Sequence, residues 1–321
     1  MTAKAQTSTS SQAVSVLVGA YNHECYVQEC LDSIVSGSYP EIELIIFNDA
    51  SPDGTSKAIL QWQAEHPDFP TVFLDRQKNI GFTRSLNEAI AHATGEFVCI
   101  IAADDVMLPN GILDRVNYLT RNPEKLAVFA DSHIVDSAGK IVADSAIEGY
   151  FRHHGMRKDL LQIDELMPYN IVFHWAVPGP VFLCRRSAFE IVGAYDENSV
   201  AEDFDMYLRL AARGKLGFCN SYVSSYRKHD QSMTSIQYDE VQHFLAEAGF
   251  KNRGSFGWIC RTRLMSNWYG MRARQEVQPF RRRMLFSWHR VLLLVSWRAY
   301  LIRRRLMLRK YAKMSSPIVG G

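Results

Sequence analysis

The chain has 321 residues, 47% of them hydrophobic and 22% charged, and a formal net charge of +2 at pH 7. This balance describes a folded globular protein and excludes a disordered or fibrous chain. The small net charge conceals a division: residues 251–321 hold 17 Lys or Arg against one acid, Glu276, a net of +16 that leaves −14 on residues 1–250.

Residues 1–12, MTAKAQTSTSSQ, are Ser/Thr-rich and lack an apolar run, so they predict a flexible start and not a signal peptide. From there short apolar runs alternate with longer amphipathic ones. VSVLVGAY (14–21), IELIIFND (42–49), TVFLD (71–75), EFVCIIA (96–102) and LAVFAD (126–131) are predicted strands, and 25–36, 55–65, 83–93 and 110–121 predicted helices. Near-continuous hydrophobicity suits strands of a parallel sheet covered on both faces, and the alternation predicts a doubly wound α/β fold. The first strand-to-helix turn, VGAYNHEC, has neither G-x-G-x-x-G nor a Walker lysine, which removes the main support for a dinucleotide dehydrogenase or a P-loop NTPase. The six cysteines form no C-x-x-C pair and no metal-type cluster, and a reducing cytoplasm is the simplest setting.

Polar residues stand where the strands end. Asn22 follows the first, Asp49 closes the second, and Asp104 and Asp105 interrupt the apolar stretch IIAADDVM (100–107). Ligands of open α/β sheets sit beyond the carboxyl ends of the strands. Taken singly, each acid has a plainer reading: Asp49 in NDASPDGT suits a turn or helix cap, and Asp104 and Asp105 suit a loop leading to LPNG. Their convergence favours a ligand site. With no glycine cradle, a nucleotide would rest on Asp49 accepting from a base N–H and on the Tyr21 ring, and its diphosphate would need a metal.

Five segments, VSVLVGAYN, IIFNDASPDGT, NIGFTRSLNEAI, GEFVCIIAADDVMLP and VAEDFDMYLRL, resemble in order the blocks of family 2 glycosyltransferases with the GT-A fold, over about Val14 to Thr234. The resemblance implies a GT-A (Rossmann-like) mixed, mostly parallel sheet over residues 13–236, followed by a basic helical segment, 237–321. It implies that Asp49 binds a pyrimidine base, with Tyr21, Asn22, Glu24, Gly81 and Arg84 in the same nucleotide-sugar pocket. Asp104 and Asp105 fall at the D-x-D position, where a carboxylate meets the ribose and a Mn²⁺ or Mg²⁺ ion on the diphosphate, with His229 of YRKHDQSMT beside that metal. Asp203 matches the general base of inverting members. Ala102 stands where the family often has a first acid, Gly19-Ala20 replaces Pro-Thr, and Ser85-Leu86-Asn87 replaces Ala-Arg-Asn.

The chemistry explains these residue types. Breaking the bond from sugar C1 to phosphate builds charge on the diphosphate, which a cation on hard carboxylate oxygens neutralises. The acceptor hydroxyl needs a base, an effect worth about 10²–10⁴-fold in rate. A plainer reading is that Glu202, Asp203 and Asp205 merely complement a helix dipole. Adjacent His153 and His154 are expected to diverge as surface residues. Trp175 offers either a face to a sugar or a core packing residue.

The tail FRRRMLFSWHRVLLLVSWRAYLIRRRLMLRKY (280–311) is a predicted helix with Met284, Trp288, Val291, Val295, Ile302 and Leu306 on one face. Its longest uncharged apolar run is far short of the ~20 residues that a spanning helix needs. An interfacial helix on anionic lipid, or one docked on the body or a second copy, fits; no nucleic-acid motif accompanies the arginines. The expected function is therefore a cytoplasmic, metal-dependent inverting glycosyltransferase that the tail helix can hold at the periphery of a membrane. It would move a sugar from a nucleotide-sugar, UDP-linked, to a saccharide or lipid-linked saccharide. The alternatives are a membrane-docked nucleotide-sugar binder with a degenerate site and a nucleotidyltransferase.

Overall fold

The computed structural model describes residues 12–199, 201–229 and 238–314. The expected flexible start lies almost wholly outside them, as does the end of the YRKHDQSMT segment. The chain forms two compact units. One comprises residues 1–132, 179–194 and 221–227, the other 133–178, 195–220 and 228–321.

The first unit is built on a sheet whose central strand, β1 (Val14–Ala20), is buried along its whole length. It pairs in parallel with β2 (Ile42–Asn48) on one side and β4 (Phe97–Ala102) on the other, and β3 (Thr71–Asp75) extends the sheet in parallel from β2. A short strand, β8 (Leu183–Arg185), lies antiparallel between β4 and β6 (Ala127–Val135). All five expected strands therefore run the same way, and β8 makes the sheet mixed. Another short strand, β5 (Val106–Met107), pairs antiparallel with Ser224 and Ser225 of β9 (Leu216–Arg227).

The expected helices form as α1 (Val27–Val35), α2 (Thr55–Glu65), α3 (Phe82–His92) and α4 (Gly111–Arg121). On α1 the buried residues are Val27, Cys30, Leu31 and Ile34, the spacing of one helix face. Arg115 of α4 is fully buried, with its Nε donating to the Gly111 carbonyl and Nη1 to that of Phe182. Those bonds satisfy a cation that would otherwise be costly to bury. The strand predicted over 126–131 continues to Val135, because Asp131 and Ser132 are themselves buried.

The second unit is mostly helical. It holds α5 (Lys158–Leu161), α6 (Met167–His174), α8 (Glu202–Ala212), α9 (Tyr238–Asn252), α10 (Trp258–Gln275) and α11 (Pro279–Met314); α7 (Ala188–Val192) belongs to the first. The basic tail, expected to start a separate segment at 237, thus packs in one unit with residues 133–178 and 195–220. Asp205 of α8 is buried, ion-paired to Arg209 at 2.9 Å, and accepts from Asn252 Nδ2 of α9 at 2.7 Å.

At about 1.5 Å per residue α11 is a rod of roughly 54 Å. Ser296, Tyr300 and Met307 are buried along one side, Tyr300 stacking on Tyr169 and Phe173 and Met307 packing on Leu160 and Leu166. The face predicted from Met284 to Leu306 is the other side, and its six apolar residues are each 46–60% exposed. Among the described residues no helix is long and apolar enough to cross a membrane.

Gly111 opens α4 where the backbone of β9 passes, and an added Cβ would stand 2.2 Å from the Val223 carbonyl oxygen. Gly111→Ala should therefore cost about 1–3 kcal/mol despite its better helix propensity, measured as a lower urea midpoint with an unchanged slope.

Candidate functional site

Beyond β1 and β2 two loops are wired to each other. The amide of Asn22 donates to Ser51 Oγ, that of His23 to Thr55 Oγ1 and that of Glu24 to Asp53 Oδ2, while Glu24 Oε2 accepts from the Gly54 amide. Asn22 and Ala50 both have φ of 60°, the left-handed region that non-glycine residues rarely occupy. Such strain persists only where surrounding contacts hold it, commonly at ligand sites. Tyr21 stands exposed at the head of this loop.

Asp49 is buried and already engaged. Its carboxylate accepts from the amides of Ile80 (2.9 Å) and Gly81 (2.8 Å) and from Ser85 Oγ (3.1 Å). A carboxylate offers about four acceptor positions, so the main work of Asp49 here is to shape the turn before α3. Gly81 serves that turn through its φ of 94°. Arg84 lies exposed on the first turn of α3. Beside the turn, past the end of β3, a cavity of about 450 Å³ is lined by Phe73, Asp75, Arg76, Lys78, Ile80 and Glu88.

The two carboxylates at the end of β4 have different surroundings. Asp105 is 2% exposed, and its Oδ1 accepts the backbone amide of Arg227 at 2.9 Å. The Arg227 side chain, also 2% exposed, donates from Nε to the Asp104 carbonyl at 2.7 Å and from Nη2 to Glu29 Oε2 at 2.7 Å, and its guanidinium lies 4.8 Å from the Tyr26 ring centre. Asp105 is thus a fastening of β9 to the β4 tip. Asp104 Oδ2 instead stands 3.8 Å from His23 Nε2. A hard carboxylate oxygen beside an imidazole nitrogen is a donor set that suits a divalent cation, and Asp104 and His23 are both among the candidate metal-holding groups.

In the second unit Asp203 sits in the first turn of α8, half-buried beside Glu202. Its Oδ1 accepts the Phe204 amide at 2.6 Å. Burial pushes the Asp203 carboxyl up to about 6. Burial, reinforced by repulsion from Asp203, pushes Glu202 up to about 8. A base near 6 is ionised at neutral pH and still basic enough to take a proton. Trp175 packs on α8, its ring centre 4.8 Å from Phe204 and 5.1 Å from Tyr207, so it braces the helix that carries Asp203. His229 is half-buried and follows Arg227 by two residues. His153 and His154 do not diverge as expected: on a tight 3₁₀ turn their ring centres approach to 4.2 Å. Both remain exposed.

Arg227, His23 and Asp75 were not singled out from the sequence, and Glu202 was read there only as an acid complementing the helix dipole. Arg227 carries the clearest signal, an arginine ending a polar-looking strand next to His229, yet its acidic partners lie more than a hundred residues away.

The profile of "Glycosyl transferase family 2" matches residues 15–177, and that of "Glycosyl transferase family group 2" residues 97–319. Among solved structures, Staphylococcus aureus TarS 1–349 in complex with UDP-GlcNAc has a TM-score of 0.61 at 15% identity, over 86% of this chain and 79% of that one. The mannosyltransferase PcManGT from Pyrobaculum calidifontis, in complex with GDP-Man and Mn²⁺, has a TM-score of 0.54 at 18% identity, over 94% and 80%. The fold is therefore that of the GT-A glycosyltransferases. Having half of its length matched by the family's profile, the chain belongs to glycosyl transferase family 2. Poly-beta-1,6-N-acetyl-D-glucosamine synthase of Staphylococcus epidermidis is 29% identical over 199 residues, 62% of this chain and 46% of that protein. The uncharacterized Rv1520 of Mycobacterium tuberculosis is 26% identical over 239 residues, 74% of this chain and 64% of that protein.

The acidic pair at the start of α8 fixes a stability signature. A carboxyl whose folded pKa is raised keeps its proton where the unfolded chain has lost it, so the stability it confers in acid is lost as pH rises through the folded pKa. Glu202→Gln removes that loss, because the amide cannot ionise. Its melting temperature should exceed that of the wild type at about pH 8.5 and match it at about pH 5, a contrast that calorimetry measures.

Proposed function

We propose that the chain is an inverting, metal-dependent glycosyltransferase that moves a sugar from a UDP-sugar to a hydroxyl of a saccharide or lipid-linked saccharide, with residues 13–236 as its catalytic domain. The observation that carries this reading is the Asp104 carboxylate at the end of β4, 3.8 Å from His23 Nε2, in a member of this family. Asp49, through the turn it holds, and Tyr21, Asn22, Glu24, Gly81 and Arg84 form the nucleotide-sugar pocket. Asp104 is the carboxylate ligand to the metal, with Asp105 fixing the position of its neighbour. His229 supplies a further ligand: it lies two residues past the amide that Asp105 holds, a span of at most about 7 Å of chain. An imidazole in the donor set favours Mn²⁺ over Mg²⁺. When bound, that ion would neutralise charge on the departing diphosphate. Asp203 accepts the proton of the acceptor hydroxyl as the oxygen attacks C1 from the face opposite the diphosphate.

The exposed face of α11 adds a location. Tryptophan and aliphatic side chains beside arginines are the make-up of a helix lying in the surface of an anionic bilayer, here on the cytoplasmic side. A second reading, a nucleotide-sugar binder without turnover, has Ala102 in its favour, since that position lacks the carboxylate that family members often carry there.

Release of UDP from a panel of UDP-sugars with Mn²⁺ tests the transferase. Asp203→Asn should lower turnover by about 10²–10⁴-fold while UDP still binds. Asp104→Ala should abolish the Mn²⁺ dependence of UDP affinity measured by calorimetry. Turnover should fall about tenfold per pH unit below about 6 and level off above it, following the Asp203 carboxyl. Donor binding with no turnover on any acceptor selects the binder instead. Trp288→Ser should weaken sedimentation with phosphatidylglycerol vesicles about tenfold and leave UDP binding unchanged.

A further inference from the structure

The inner side of α11 holds an arrangement that the reaction above does not use. Phe173 and His174 from α6 pack with Trp297 and Tyr300 from α11, with ring centres 4.6–5.5 Å apart between the two helices. A directed hydrogen-bond chain runs through them. His174 Nδ1 meets the His154 carbonyl at 2.8 Å, so that nitrogen carries the proton and Nε2 accepts from the Tyr300 hydroxyl at 2.9 Å. The Tyr300 oxygen in turn accepts from Arg304. Burial, to which Arg304 and Arg263 add their charge, keeps the imidazole neutral.

Arg263 of α10 closes the group, its guanidinium 5.6 Å from the ring centres of both Phe173 and Trp297. Burial lowers its pKa to about 10. Arg263 and Arg304 thus stand at one aromatic cluster, and the Nε of each is buried without a hydrogen-bond partner. Among the described residues neither has a carboxylate within ion-pair distance, and the acid nearest in sequence to α6, Glu165, is taken by Lys310 and Tyr311. A desolvated cation with unfilled donors is destabilising, and aromatic faces offset only part of that cost. Two guanidinium forks with no protein anion are the usual equipment for recognising phosphate oxygens.

We infer that Arg263 and Arg304, seated on the Phe173–His174–Trp297–Tyr300 cluster, form a binding site for a phosphate group carried by the acceptor. This rests on the transferase reading and narrows its acceptor to a phosphorylated one. His174 and Tyr300 are positioning residues in it, holding Arg304 through the fixed hydrogen-bond chain.

The test uses the full chain saturated with UDP and Mn²⁺, so that the donor pocket is filled, and titrates farnesyl phosphate, farnesol and inorganic phosphate by calorimetry. Farnesyl phosphate should bind, and its Kd should rise at least about tenfold in Arg263→Gln and in Arg304→Gln but not in Arg282→Gln on the exposed side. Inorganic phosphate binding with the same dependence on both arginines assigns the site to phosphate in general, and binding of the farnesyl ester alone assigns it to a lipid-borne phosphate. Equal binding of farnesol, or affinities unchanged in both Gln variants, overturns the proposal and leaves the arginines as packing elements. Should a Gln variant unfold, Arg304→Lys keeps the charge but loses the fork, and an unchanged Kd there likewise overturns it. Failure of UDP itself to bind in the first step is a separate result, against the transferase reading.

Discussion

The buried guanidinium of Arg227 is the constraint from which the β4 tip takes its shape. A charge this deeply placed must be fully bonded, and its partners are the Asp104 carbonyl, Glu29 and the ring of Tyr26, with Asp105 holding its amide. One arginine therefore ties the last residue of β9 to the β4 tip and to α1. The consequence for chemistry is a division of labour between neighbouring acids. Asp105 spends its carboxylate on the backbone, which holds Asp104 at the sheet edge with its own carboxylate turned toward His23.

A similar economy governs the nucleotide side. Asp49 occupies the position that the family reading gives to a base-binding acid, yet most of its acceptor capacity goes to the amides of Ile80 and Gly81 and the hydroxyl of Ser85. Its influence on a ligand is then largely through the turn it shapes. At α8 the arrangement runs the other way. Two adjacent carboxyls are held where burial resists their ionisation, a cost that structural packing alone gives no reason to keep. Trp175, packed on Phe204 and Tyr207, braces the helix that carries both carboxyls.

The strands and first four helices were legible because β1 is buried throughout and β2, β4 and β6 over most of their length, while each helix carries one apolar stripe. β3, with no buried residue, was legible from its β-branched and aromatic make-up. The acids at the strand ends were legible for a related reason, since a charge at the edge of a buried strand stands out. Three things were not. The short strand β8 has too few residues to show a period, and β9 alternates Ser, Tyr and Cys in a way that does not separate strand from loop. The clamp made by Arg227 joins residues separated by up to 198 positions, and nothing local announces such a pairing. The tail was read correctly as a helix with one apolar face, but which side meets the protein depends on tertiary packing: Tyr300 and Ser296 are buried while Trp288 and Val295 stay in solvent.

That solvent-facing stripe has a colloidal consequence. Arginines bordering it repel like rods, and mutual repulsion between exposed charges fades within about 8 Å at physiological ionic strength and about 3 Å at 1 M. Raising salt therefore removes the barrier while strengthening the attraction between apolar faces. A rod of this kind is expected to turn adhesive in concentrated kosmotropic salt such as sulfate, a consequence of its charge pattern and not of any change in the fold.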